Sequence, residues 1–373
     1  MQKNTVPVNK KIWRIFVLLS LPLQLLIIQI IADKSVSVET YYTFGFYKSL
    51  SHFLRFIFGS TSFPVGQLLF YSLVGFLVYW LFTQVQKIFH KQVSLSQFLR
   101  IVSYRSVAFL SGFYFLFTLM WGLNYHRRPI QEITRINSDQ MNGTELVNLC
   151  RKLILLTNES RKRVSADETK PLKILLSQEQ ILKQALAGYQ HISKIYPELT
   201  YSRPAVKSVL VPELMSFFGI GGIYFPFTGE ANVNMDPPAF LLPETVCHEM
   251  AHQIGVASED EANFVAYLVC RYNPEPAFQY SANYSAMKYA MNRLHFENPD
   301  LFEQFKKTLS PGVQQDLEAN KKYWESFKNP IEVVSDTIHD LFLKANDQEE
   351  GIRSYSRVVE LLLGEYRKNG LDF

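Results

Sequence analysis

Cysteine is scarce in this chain, with Cys150, Cys247 and Cys270 the only three in 373 residues. They form neither a zinc-finger spacing nor a Cys-x-x-Cys pair, so a disulfide framework is excluded. Cys247 and Cys270 read as buried, unreactive thiols; the alternatives for them are a thiolate added to a metal or oxidation together. The formal net charge is only +4, and Lys and Arg gather in no long basic run. With no recognition motif for DNA or RNA either, nucleic acid is excluded as a partner. Internal repeats and low-complexity runs are also missing, which rules out a solenoid or an array.

The most telling absence is of charge in two apolar runs, 66–84 and 106–124. Each is about as long as a bilayer is thick. A third run, 12–32, contains only Arg14. It is long for a signal peptide, and no small-x-small cleavage site precedes Asp33, so it reads as an uncleaved anchor. The rest of the chain is too polar to bury three such helices, and all three are expected to cross a membrane.

Flanking charges orient them. Lys3, Lys10, Lys11 and Arg14 precede the first run, and Lys87, Lys91, Arg100 and Arg105 lie between the second and third. Those sides are expected to be cytoplasmic, with everything after Asn124 outside. His126, Arg127 and Arg128 run against this. Aromatic-rich Thr43 to Phe58 and amphipathic Leu95 to Val102 suit either the membrane interface or loop packing. The division expected is a membrane region, 1–128, and a water-facing domain, 129–373.

The chemistry concentrates in one stretch of that domain. His248 and His252 are four residues apart, so on a helix both imidazoles face one ion, with Glu249 beside the open coordination position. In such a centre zinc lowers the pKa of bound water from 15.7 to ~7 and the glutamate takes the proton. A third protein ligand is needed. Gly255 is suited to end the helix in a left-handed conformation and turn the chain back toward two acids, Glu259 and Glu261. Glu259 is preferred: on a helix starting near Ser258, Glu259 and Asn263 share a face. The carboxylate then binds metal while the amide steadies a ligand histidine.

The pattern Glu259-x-x-Ala262-Asn263-x-x-Ala266 resembles the glutamate helix of the thermolysin-like zinc peptidases, particularly the repressor-cleaving and CAAX-prenyl-protease types. More broadly, Phe225 to Asn232, His248 to Gln253 and Glu259 to Asn263, behind an N-terminal membrane region, resemble a bacterial family of membrane-anchored zinc-peptidase-like proteins. The resemblance implies a zincin-like metallohydrolase in the bacterial cytoplasmic (inner) membrane, acting on a peptide or protein. It also implies an edge strand beside the active-site helix that pairs with substrate backbone. Gly222 to Phe227 and Ala231 to Met235 are candidates, within an extended stretch that turns at Thr228-Gly229.

Residues 206–211 alternate as a strand does. Leu146, Leu149, Leu153 and Leu156 recur at helical spacing, and Ser177 with Gln180 forms a capping-box pattern. Further helices are expected at 284–296, 313–327, 331–345 and 354–367. A hydrolase of this type also needs a donor for the developing oxyanion. Tyr355 is the first candidate, followed by His339, Tyr224 and Arg353.

The fold class expected is α+β, mainly α, with three N-terminal transmembrane helices before a zincin-like domain holding a small β-sheet. The expected activity is zinc-dependent peptide hydrolysis, with His248, His252 and Glu259 on the metal and Glu249 as general base. A zinc amidase acting on cell-wall peptide and a non-catalytic membrane scaffold are the rival readings.

Overall fold

In the computed structural model, which describes residues 8–138, 141–330, 337 and 355–369, the first third of the chain is almost wholly helical. Helix α1 (Val8–Ala32) leads to a π-wound stretch, Val38–Tyr47, and to helix α2 (Lys48–Phe58). Two long helices follow, α3 (Val65–Phe89) and α4 (Leu95–Met120). Among the described residues these two are long and apolar enough to cross a membrane. Leu69, Phe76 and Val78 on α3 and Leu110 and Phe115 on α4 are exposed, a surface that lipid satisfies and water does not.

The first expected span differs. Its segment Leu19–Ala32 and the following Ser35–Phe58 form a pair bent by 97° that is apolar enough to make one further span. The bend falls at exposed Asp33 and Lys34. Two candidate spans therefore stand on their own, and Leu19–Ala32 is one arm of a bent pair that would make a third. That arm packs on α4 through polar side chains: Ser20 Oγ lies 2.6 Å from Ser111 Oγ, and Gln24 Nε2 donates to the same oxygen at 3.0 Å.

Helix α5 (Gly143–Val164) opens on a capping box between Asn142 and Glu145, and it buries Leu146, Leu149 and Leu153. Helix α6 (Gln178–Ile192) opens on the expected Ser177–Gln180 box. Three short strands come next, β1 (Val206–Ser208), β2 (Gly222–Phe225) and β3 (Glu230–Val233). Their order is β1-β3-β2, with β1 parallel and β2 antiparallel to β3. Ile223 pairs with Asn232, and Gly229, in the left-handed region at φ 69°, completes the turn. β2 is therefore an edge. β3 is central and buried throughout, which removes Ala231 to Val233 as a cleft wall; Met235, the end of the expected stretch, lies beyond the strand and is partly buried.

Helices α7 (Leu242–Gln253), α8 (Glu259–Arg271), α9 (Pro276–Glu297), α10 (Pro311–Glu325) and α11 (Tyr355–Asn369) complete the described chain. The expected helix 331–345 lies outside the described residues, apart from position 337. Every residue of α8 from Asp260 to Arg271 is buried. With α6, α7, α9 and α11 around it, α8 is the axis of the core. Each fully buried Leu, Val or Phe there contributes about 1.5–3 kcal/mol. All three cysteines are buried and unpaired, as their spacing implied.

The sheet is locked to the membrane helices by one carboxylate. Glu230, fully buried on β3, accepts from the backbone N–H of Val65 at 3.1 Å and of Gly66 at 2.6 Å. It thus supplies two of the acceptors that the first turn of α3 lacks, at the positive end of the helix dipole. Lys207 on β1 pairs with Glu230 and donates to the carbonyls of Phe58 at 2.6 Å and Phe63 at 2.9 Å.

Candidate metal centre

Helical spacing brings His248 and His252 of α7 together, with Nε2 atoms 3.1 Å apart. The chain then has to reverse. Gly255 takes φ 86°, its N–H bonds to the His252 carbonyl at 3.0 Å, and the Val256 N–H reaches back to the Ala251 carbonyl at 3.1 Å. This left-handed helix end is the one glycine allows most cheaply. A side chain at 255 would also place Cβ 2.8 Å from Asn124 Oδ1.

Glu259, the first residue of α8, is thereby returned to the histidines. One carboxylate oxygen lies 3.2 Å from His248 Nε2, the other 3.7 Å from His252 Nε2. Tetrahedral zinc with ligands at ~2.0–2.1 Å separates its donors by about 3.3 Å. The triangle therefore matches a metal's coordination edges, and His248, His252 and Glu259 are a group able to hold an ion. His252 Nδ1 lies 2.7 Å from the Val256 carbonyl. Since a carbonyl only accepts, the proton sits on Nδ1 and leaves Nε2 bare for metal. That steadying contact was expected from Asn263. Asn263 is buried on α8, but no hydrogen bond joins it to either histidine, and the turn's own backbone does the work instead.

Glu261 faces elsewhere. Its Oε1 accepts from the Ile130 N–H at 2.9 Å, and burial, with Asp260 adding, pushes its carboxyl up to about 7. Glu249 lies between the metal helix and the edge strand. Its Oε2 has no hydrogen-bond partner among the described residues, and a Cβ at Gly222 would sit 2.4 Å from its Oε1. A side chain at 222 would push the Glu249 carboxylate aside.

Charge in the cluster is strongly perturbed. Burial raises the Glu249 carboxyl to about 8, with His248 opposing and Glu259 and Glu244 adding. Burial alone would lower His248, but the hydrogen bond and charge of Glu259 override it and hold the imidazole at about 9. Burial lowers His252 to about 4. A metal-free cluster thus keeps a proton between His248 and Glu259.

Three contributors were missed by sequence reading. The carbonyls of His252 and Gln253 belong to the last turn of α7, where carbonyls lack helical partners. Tyr47 Oη donates toward them at 3.1 and 3.2 Å, Ser51 Oγ to Gln253 at 2.8 Å, and Trp121 Nε1 to His252 at 3.3 Å. All three come from the membrane-proximal chain. The available signal was a tryptophan closing a span and polar residues punctuating an aromatic-rich stretch. Gln253 itself ties α7 to the sheet region, donating to the Gly229 carbonyl at 2.7 Å and the Ala205 carbonyl at 3.1 Å.

Of the oxyanion candidates, His339, Arg353 and the side chain of Tyr355 lie outside the described residues. The helix that Tyr355 begins does reach the site region: Arg357 Nε lies 3.2 Å from Asp260 Oδ2, next to Glu259. The Tyr224 hydroxyl is 3.0 Å from that of Tyr47. The Tyr125 ring lies 5.3 Å from that of Trp121, itself 5.9 Å from the His252 ring, and burial and then the charge of Glu259 raise its hydroxyl. A cavity of about 910 Å³, lined by residues such as Met287, Phe302 and Trp324, shares no residue with the cluster.

No curated protein and no solved structure matches the chain. A family model described as "Protein of unknown function (DUF3810)" matches residues 42–363, a span that runs from the π-wound stretch into α11 and contains both candidate spans and the whole metal cluster. The chain belongs to the DUF3810 family.

Proposed function

We propose that this protein is a membrane-anchored zinc metallopeptidase. The observation that carries the reading is the donor triangle of His248, His252 and Glu259 at coordination spacing, with the unpartnered Glu249 carboxylate beside it. A zinc ion held there supplies Lewis acidity and a bound water of pKa ~7.

The chain's own groups supply the rest. Glu249, set between the donor triangle and β2 with its Oε2 unpartnered among the described residues, takes a proton from water and returns it to the leaving nitrogen. The Val256 carbonyl keeps His252 in the ligating tautomer. The free edge of β2, passing Glu249 at Gly222, offers backbone groups to an extended substrate. Tyr355 and Tyr125 are the candidates for donating a hydrogen bond to the oxyanion.

We place the protein in the bacterial cytoplasmic membrane with the centre outside. Loop charges support this, and so does the fate of the contrary signal: Arg127 and Arg128 both pair with buried Glu39. The edge strand favours a peptide over a small closed amide, and no fourth protein ligand joins the cluster among the described residues, which favours an open catalytic site over a structural one.

The test is hydrolysis of a quenched, mixed-sequence peptide pool by the full-length, zinc-loaded protein in detergent. Cleavage that disappears in Glu249→Gln while zinc stays bound supports the reading. Equal cleavage by that variant refutes it.

A further inference from the structure

The path from the metal cluster to the membrane helices is short and has a direction. On β2, Gly222 and Tyr224 share the face toward α7, Gly222 against Glu249 and Tyr224 with its ring 6.4 Å from that of His252. The other end of the strand stands on the candidate spans. Phe225 lies so close to Gly66, in the first turn of α3, that a Cβ there would fall 2.6 Å from its Cγ. Phe227 places its ring 5.5 Å from that of Phe113, which lies about 10 Å below the end of α4. Three steps along the strand, roughly 10 Å, thus separate the Glu249 carboxylate from the candidate spans.

Apolar surface surrounds the foot of that strand. Ser35–Phe58 is bent by 97° from the arm Leu19–Ala32, so it runs along the membrane surface if that arm crosses. Its helix α2 buries Ser51, Leu54 and Arg55 toward the protein and exposes Phe53, Phe56 and Ile57. Exposed Leu210 and Val211 lie beside Gln67 of α3, whose Oε1 accepts from the Leu210 N–H at 2.7 Å. An apolar face bounded in this way, and continuous with the spans, is what an interfacial helix buries in the headgroup and acyl boundary.

We infer that the substrate is a polypeptide anchored in the same membrane. Its segment next to the bilayer adds as a strand along β2 and is cut within about eight residues of the anchor. This rests on the peptidase reading. One water is consumed per cut: the carbonyl carbon gains the hydroxyl, the C–N bond breaks, and the amine nitrogen takes the proton carried by Glu249.

The experiment uses the full-length, zinc-loaded protein in phosphatidylcholine/phosphatidylglycerol vesicles. A nitroxide on Phe56→Cys reports depth by its accessibility to oxygen against a water-soluble nickel chelate, with Leu175→Cys, a highly exposed position, as the control. The mixed peptide pool is offered soluble and as an N-palmitoylated form with a long spacer, and the cuts are mapped by mass spectrometry. We expect the label at 56 to sit in the acyl boundary and the label at 175 in water. We also expect the palmitoylated pool to be cut at least tenfold faster, with cuts clustered near the anchor.

A water-exposed label at 56 overturns the placement of the centre. Equal rates for the two pools, or cuts spread evenly along the spacer, overturn the substrate class and leave the peptidase standing. Failure to cut either pool with zinc bound refutes the peptidase reading, and the substrate class with it.

Discussion

Trp121, the first residue beyond α4, donates its indole N–H to the backbone carbonyl of His252 at 3.3 Å. A candidate metal ligand is thereby held by the residue that follows a candidate membrane span. Trp121→Phe keeps an aromatic ring there but leaves that carbonyl one donor poorer. The carbonyl keeps the Gly255 N–H and the Tyr47 hydroxyl, so the loss is that of one hydrogen bond, about 0.5–1.5 kcal/mol. The expected outcome is a lower melting temperature and a metal affinity reduced by up to about tenfold, read by thermal unfolding and metal titration.

Gly222→Ala places a methyl group against Glu249 Oε1. The carboxylate is the mobile end of its side chain and can shift, so stability falls little, by ~1 kcal/mol. Turnover falls much more, by about 10²-fold, because the base is displaced. Metal content stays the same. Peptide hydrolysis measured beside elemental analysis checks all three.

Metal binding should depend on pH through His248. In the metal-free protein its imidazole stays protonated up to about 9, above its ordinary 6.5. The stabilisation from that charged form is fully present below 6.5 and is lost as pH rises through about 9. An ion must displace this proton, so affinity rises with pH up to about 9, close to tenfold per unit for one proton. Titration calorimetry in two buffers of different ionisation heat measures the release, and a pH-independent affinity would contradict the assignment.

Glu230→Ala leaves Lys207 buried without its counter-charge and the first turn of α3 without its acceptor. Breaking a buried pair in this way costs about 3–5 kcal/mol. Denaturation in detergent should show that loss, whereas Glu145→Ala, which removes a partly exposed pair with Arg367 and half of a helix capping box, should lose much less.

What was legible in the sequence was local. Two histidines at i and i+4, a glycine that allows a left-handed turn, a Ser-x-x-Gln box and charge-free apolar runs each act within a few residues, and each appears in the structure where its pattern stands. The contacts that support the site are long-range. Tyr47 and Trp121 meet the metal helix across 205 and 131 positions, and no periodicity encodes such a meeting. Asn263 shows the limit of face arguments: it shares a helix face with Glu259, yet the turn's carbonyl reaches His252 first. The first apolar run is legible as one long helix, Val8–Ala32, but the 97° turn of the chain after it is not, because composition alone does not register a bend.

The most direct test of the metal centre is elemental analysis of the detergent-purified, full-length protein beside His248→Ala, Glu259→Ala and Glu261→Gln, all prepared with added zinc and without chelators. The expected result is one zinc per chain in the parent and in Glu261→Gln, lost or much weakened in the other two. No zinc in the parent, or zinc lost with Glu261 and kept without Glu259, would contradict the centre described.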